Sequence, residues 1–266
     1  MLRYAIVTPP VTPSRDEVLR VVAELGTPLP AAPSRRERAR QATVDEIKAT
    51  ALDLMREHAT TDVRFTDIAR VMGMTAPALY RYFDDRDELL SALIVDGFDS
   101  LGAAVAEAVR PLDEADLPAR WSAASQAYRA WASAEPQMFA LILGMPVPGY
   151  QAPEEGPTTE AAKAAMSQLS SLFVAAAQRG ELRPPLIREV SVSMADCEKS
   201  KHDELCDVLP PESFQAMLQT WAMLHGFVSL EAYGHFDWME PEARDALFRS
   251  HMRLAATASG LPVPPA

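Results

Sequence analysis

Apolar residues recur along most of this chain at helical spacing, and no stretch alternates apolar and polar positions as a half-buried strand would. Val44, Ile47, Ala51, Leu54 and Met55 form one stripe. They predict a helix over Thr43–His58, opened by Thr43 and Glu46 as a capping box. Ala59–Arg64 reads as a connection. Ile68, Ala69 and Met72 share one face of a short helix, which Gly73 ends in a left-handed C′ conformation. Thr75 is the expected N-cap of a second short helix with Pro77 in its first turn and Leu79, Tyr80 and Phe83 as its stripe. Asp85 and Glu88 form another capping box and open a long helix to about Arg110.

Beyond Pro111 the pattern stays helical. Leu117–Ala134 presents Trp121, Ala124, Tyr128 and Trp131 on one face, and Pro136–Leu143 is a short apolar helix. Gly144–Pro157 is a loop rich in Pro and Gly. Thr158–Arg179 turns Ala162, Met166, Leu169, Phe173 and Ala176 inward, and Pro211–Phe236 and Pro241–Ser259 close the fold. Two stretches fall outside this pattern. Residues 1–34 hold six prolines around one amphipathic segment, Ser14–Gly26, and read as a loosely attached extension or a start codon placed too early. Arg188–Leu209 reads as a polar loop insertion holding Cys197, His202 and Cys206. Asp196, Asp203 or Glu204 would be needed as a fourth zinc ligand, and the spacing matches no zinc pattern, so no metal is expected there.

The net charge is −12. Partitioned, residues 1–34 are neutral, residues 35–90 carry −1 and residues 91–266 carry −11. The acidic excess therefore belongs to the C-terminal part. Any nucleic-acid affinity rests on local placement of basic groups in the N-terminal part. Ser34–Arg40 (SRRERAR) is such a place, read either as a solvated charge run or as an arm reaching along a DNA backbone. The exposed side of the second short helix holds Thr75, Ala76, Ala78, Arg81 and Tyr82, with no acid until Asp84. That face can enter a major groove without repelling phosphate, whereas an ordinary hairpin in a bundle would have no need of it.

Several short motifs then coincide in register over Thr43–Leu90: DIA at Asp67–Ala69, the Gly73–Met74 turn, LYRYF at Leu79–Phe83 and DELL at Asp87–Leu90. Together they resemble the DNA-binding domain of the TetR family of bacterial transcriptional regulators. Trp221, His225 and Gly226 resemble the WHG-type C-terminal domain of a subset of that family. The resemblance implies an all-α protein: a three-helix helix-turn-helix domain at 41–90, then an α-helical ligand-binding and dimerisation bundle at 91–266. Residues 1–40 stand ahead of them as an extension with a basic arm, and 188–209 as a loop insertion. By match to family positions, Thr75, Tyr80, Tyr82 and Arg86 contact phosphates. Ala76, Pro77, Ala78 and Arg81 face the groove floor, and Arg64 or Thr66 makes a backbone contact at the preceding helix.

A chain with 48% hydrophobic residues can also bury a large core. Trp121, Tyr128, Phe139, Phe173, Trp221 and His225 are read either as core or as the wall of a mainly apolar cavity. No nucleophile elbow, HExxH, P-loop or GxGxxG occurs, so neither an enzyme nor a cofactor is expected. Two cysteines make no disulfide scaffold, and no run of 18 apolar residues predicts a membrane span, so a cytoplasmic protein is expected. The expected partners are a double-stranded DNA operator, an unknown small-molecule effector and a second copy of the chain. The competing expectation is a helix-turn-helix regulator without a small-molecule ligand, controlled by a protein partner.

Overall fold

The computed structural model describes residues 34–152, 155–201, 205 and 208–263, with backbone only at 197–201. Among them there are ten helices and no strand. The chain divides into two compact units, residues 1–44 and 45–266. In the first unit the described residues are Ser34 and the opening turns of α1 (Arg35–His58), taken first; the second unit follows.

The start of α1 differs from the sequence expectation. Thr43 lies inside the helix, where its hydroxyl donates back to the Ala39 carbonyl at 3.1 Å. The capping box is instead Ser34–Glu37: the Glu37 N–H donates to Ser34 Oγ at 3.2 Å and the Ser34 N–H to the Glu37 carboxylate at 2.6 Å. Arg35, Arg36, Arg38 and Arg40 therefore stand exposed on helical turns, where an extended arm was one of two readings.

α2 (Phe65–Val71) and α3 (Ala76–Leu79) pack on each other. Gly73 joins them at φ 63°, the left-handed conformation expected of it, and the Met74 N–H closes the turn onto Ala69 O at 2.8 Å. Thr75 is the N-cap by position, but its side chain makes no capping bond. Ile47, Ala51, Met55, Ile68, Leu79, Leu89 and Leu90 are buried.

α4 (Arg86–Val109) is the longest buried element of the second unit. Asp85 Oδ1 accepts from the Glu88 N–H at 2.8 Å, as the capping box predicts, while the Glu88 carboxylate reaches back to the Asp84 N–H. By length and composition alone α4 could cross a membrane, but its apolar face is covered by α5 (Leu117–Ala134), α6 (Pro136–Leu143) and α7 (Pro157–Gln178). A Cβ on Gly97 would meet Met138 and Ile142 at 2.7 Å, so the missing side chain is what lets α6 lie on α4.

α8 (Val192–Lys201) is a helix within the stretch expected to be a polar loop. Ser191 Oγ accepts the Met194 N–H at 3.2 Å, a capping interaction that loop-like composition concealed. His202 and Cys206 lie outside the described residues, as does the side chain of Cys197.

α9 (Pro211–Ala232) and α10 (Pro241–Ser259) pair with each other, and α9 also touches α5, α7 and α8. One charged knot ties α5, α9 and α10 together. Arg129 donates to both Glu231 carboxylate oxygens at 2.5 and 2.6 Å and to Asp245 at 2.8 Å. Its guanidinium lies 4.7 Å from the Phe248 ring centroid, and Arg244 adds a second contact to Glu231 at 3.3 Å. Past α7, the Arg183 and Leu186 N–H groups donate to Gly260 and Ala258 carbonyls at 2.9 and 2.8 Å, strapping the chain to the end of α10.

Arg129→Ala removes the cation from a site where Glu231 is only 15% exposed and Arg244 remains as its partner. The expected loss is about 2–3 kcal/mol, below the full range for a broken buried pair because of that remaining contact. Chemical denaturation of the two proteins measures it.

Candidate functional site

Two places in the structure carry chemistry. The first is the α2–α3 hairpin. Arg64, the N-cap of α2 by position, is exposed, as are Thr66, Thr75, Pro77, Tyr80 and Arg81. Ala76, Ala78 and Tyr82 are half-buried. Tyr80 is 55% exposed, and one face of its ring rests on Phe65 with centroids 5.1 Å apart. Its ring is thus in contact with a buried α2 residue.

Arg86 is placed differently from its neighbours. Its Nε donates to the Val63 carbonyl at 3.0 Å and its Nη2 to Asp62 at 2.8 Å, and the side chain is 26% exposed. The first turn of α4 thereby holds the connection between α1 and α2. Sequence reasoning took Arg86 only as a positive charge near phosphate; Asp62 was the unread signal.

The second place is a cavity of about 40 Å³ between α4, α5, α7 and α9. Leu101, Val105, Trp121, Tyr128, Met166 and Trp221 are among its walls, and no charged side chain lines it. Of the six residues expected there, Trp121, Tyr128 and Trp221 border the cavity. Phe139 and Phe173 are completely buried outside its lining. His225 stands behind the wall, its ring stacked on Trp221 at 5.3 Å and 6°. The aliphatic wall residues were missed because their i, i+4 spacing on α4 looks the same for a core as for a cavity.

The lining is linked to a short polar chain. The Tyr128 hydroxyl and His225 Nδ1 are 2.9 Å apart, and His225 Nε2 and Ser229 Oγ are 3.3 Å apart. Burial lowers the His225 pKa from 6.5, so the ring is neutral at pH 7, with one nitrogen donating and the other accepting. Burial likewise pushes the Tyr128 phenol up. Trp121 Nε1 donates to the Met252 carbonyl at 3.0 Å, which fixes that wall to α10. Phe139 of α6 packs edge-on against Tyr128 at 6.3 Å and touches His225 at 5.7 Å. Among the described residues no group of His, Cys, Asp and Glu is arranged to hold a metal.

Two stretches of the chain match known protein families. Residues 47–93 match the model of bacterial regulatory proteins of the tetR family, and residues 121–255 match the tetracyclin repressor-like C-terminal domain. This chain belongs to the TetR family. The HTH-type transcriptional regulator Rv1816 of Mycobacterium tuberculosis is 31% identical over 202 residues, covering 72% of this chain and 83% of that protein. Mb1846 of Mycobacterium bovis shows the same identity and coverage. The crystal structure of regulatory protein SCO4313 aligns with a TM-score of 0.66 at 31% identity, over 84% of this chain and 98% of that one. A Rhodococcus protein at 24% identity and TM-score 0.58 shares the fold.

The TetR-family regulator is thus a transcriptional regulator whose α2–α3 hairpin is a DNA-binding helix-turn-helix. Proteins of this family bind DNA operators and usually act as dimers.

The depressed His225 pKa has a measurable consequence. As pH falls below about 6.5 the unfolded chain protonates first. The neutral histidine's contribution is complete above that pH and is lost as pH falls through the folded value. His225→Asn is expected to be less stable than the parent at pH 7.5, with the gap narrowing by pH 5. Paired urea titrations at the two pH values check the sign, and a constant gap would exclude His225 as the titrating group.

Proposed function

We propose that this TetR-family regulator is a dimeric repressor, released from a palindromic operator when a hydrophobic small molecule enters the bundle cavity. The observation that carries the reading is the apolar, charge-free cavity walled by Trp121, Tyr128 and Trp221 in the C-terminal bundle. Small-molecule sites are concave and mostly apolar with few polar groups, and this one has a polar chain directly behind its wall. The dimer is supported by α9 and α10, which leave Leu218, Leu230, Leu247 and Leu254 exposed at 37–56% on the two outer helices. A two-fold dimer presents two copies of α3 and so calls for a palindromic operator.

On DNA, Thr75, Tyr80, Tyr82 and Arg86 serve as phosphate contacts, with Arg64 or Thr66 at the start of α2. Ala76, Pro77, Ala78 and Arg81 read the groove floor. The small side chains suit a thymine methyl, and Arg81 suits a guanine, contributing roughly 1–3 kcal/mol of discrimination. Arg86 has two parts to play, since its bonds to Asp62 and Val63 also hold the α1–α2 connection.

The operator, found by selection from random DNA, allows these roles to be separated. Tyr80→Phe keeps the ring on Phe65 and is expected to weaken all sequences alike. Arg81→Ala is expected to relax preference at one base pair per half-site. Arg86→Ala is expected to lower affinity and to reduce the slope of log K against log salt by about one. Lower affinity with an unchanged slope would leave Arg86 a purely positioning residue. Release is then tested by screening apolar compounds for loss of operator binding. A cavity-filling Val105→Trp protein that still responds to a hit would move the effector site elsewhere.

A further inference from the structure

Trp221, one of the cavity's wall residues, carries a hydrogen-bond donor that has no partner in the protein. Trp221 Nε1 is buried and has no partner, one of two such side-chain atoms among the described residues. An indole N–H sealed from water without an acceptor costs roughly 1–3 kcal/mol. Trp221 is not loosely placed: its ring stacks on His225, whose two nitrogens are engaged by Tyr128 and Ser229. Three other polar groups of the lining are already engaged. Trp121 Nε1 donates to Met252, the Ser125 hydroxyl donates to the Ser122 carbonyl, and the Tyr128 hydroxyl is joined to His225. Gln168 adds one half-buried amide, and no charged side chain lines the cavity.

From this arrangement we infer that the effector is an uncharged, apolar or aromatic molecule carrying a hydrogen-bond acceptor, a carbonyl oxygen being the simplest, which takes the Trp221 Nε1–H. This rests on the reading of the cavity as the effector site. A cation or anion would be desolvated against walls with no counter-charge, which excludes both on energetic grounds. A pure hydrocarbon would fill the space but leave the donor unpaired. A molecule with an acceptor satisfies both, and sites that present a buried polar group discriminate strongly against analogues lacking its partner. His225 acts as a positioning residue here: by stacking on Trp221 while bonded at both nitrogens, it sets the direction of the indole plane.

Acetophenone and ethylbenzene are matched probes, similar in size and differing in the carbonyl. Their affinities for the full-length parent protein and for Trp221→Phe are measured by calorimetry. Trp221→Phe keeps an aromatic ring against His225 and removes the donor together with part of the ring; the lost volume bears on both probes, so the ratio reports the donor. The affinity ratio of acetophenone to ethylbenzene is expected to fall about tenfold in Trp221→Phe and to be unchanged in Trp131→Phe, which removes an indole outside the cavity lining whose Nε1 donates to Ser100. In ¹H–¹⁵N spectra of the ¹⁵N-labelled parent, which has four tryptophans, the Trp221 Nε1–H resonance is expected to shift with acetophenone and not with ethylbenzene. This second measurement stands even if Trp221→Phe folds poorly. An unchanged ratio, an unmoved indole resonance, or no binding of either probe would each overturn the inference. Operator release is scored separately. Carbonyl-dependent binding without release would leave the recognition chemistry standing and defeat effector-controlled repression.

Discussion

Burial of one face of α4 is the constraint on which the second unit depends. At 1.5 Å per residue its 24 residues span about 36 Å. Its first turn belongs to the helix-turn-helix, where Arg86 holds Asp62 and Val63 and where Leu89 and Leu90 are completely buried. Its second half belongs to the bundle, where Leu101 and Val105 form part of the cavity wall. A continuous helix with no break between these ends does not bend cheaply. In the proposed mechanism, displacement of Leu101 and Val105 is carried along α4 toward Arg86, because sharp helix kinks arise almost only at proline, Gly/Ser pairs, bulges or inserted groups. Gly97 stands between the two ends, but α6 is packed against its bare face.

A second route runs through α6. Phe139 packs on Tyr128 and His225, so the helix that carries it registers the state of the cavity wall. The residue that opens α6 is Glu135, whose carboxylate meets Arg56 of α1 at 2.6 Å. Lys48 of α1 likewise meets Asp96 of α4 at 2.7 Å. Both pairs are partly exposed and contribute little to stability individually. Their value is geometric: they fix α1 of the helix-turn-helix to the two bundle helices best placed to sense the cavity.

Much of this was legible in the sequence because it depends on local chemistry. Gly73 must leave a helix with positive φ, Asp85 must cap α4, and the apolar spacing of Trp121, Tyr128 and Trp131 must face inward; all three hold. The failures are equally physical. Two Ser/Thr-x-x-Glu motifs, Ser34–Glu37 and Thr43–Glu46, compete to open α1, and nothing between Ser34 and Thr43 breaks a helix, so the earlier cap prevails. Helical periodicity identifies the inward face but not whether that face meets another side chain or a void. Phe173 and Trp221 were therefore indistinguishable before the helices were assembled, and so were Leu101 and any other core leucine. The second role of Arg86 was not legible for a related reason: its acceptors, Asp62 and the Val63 carbonyl, lie on a connection whose path the sequence does not reveal.

The size of the cavity bears on how a bound molecule would act. About 40 Å³ accommodates a water or two, well below the roughly 300 Å³ of an ordinary small-molecule site. A ligand that binds here must therefore push walls apart. The rigid walls are the buried Trp121 and Leu101, the first tied to Met252, and the half-buried Trp221, held by its stack on His225. Met166, Gln168 and Leu169 of α7 are half-buried and rotamer-rich, so they are the side able to yield. α7 packs more closely on α4 than on any other helix. Opening the cavity on that side loads α4 directly, and a differential affinity of only 1–3 kcal/mol between closed and opened states suffices for a 5–150-fold change in DNA affinity. On the proposed reading, a cavity smaller than its ligand supplies such a differential, since a ligand that binds both states equally shifts neither.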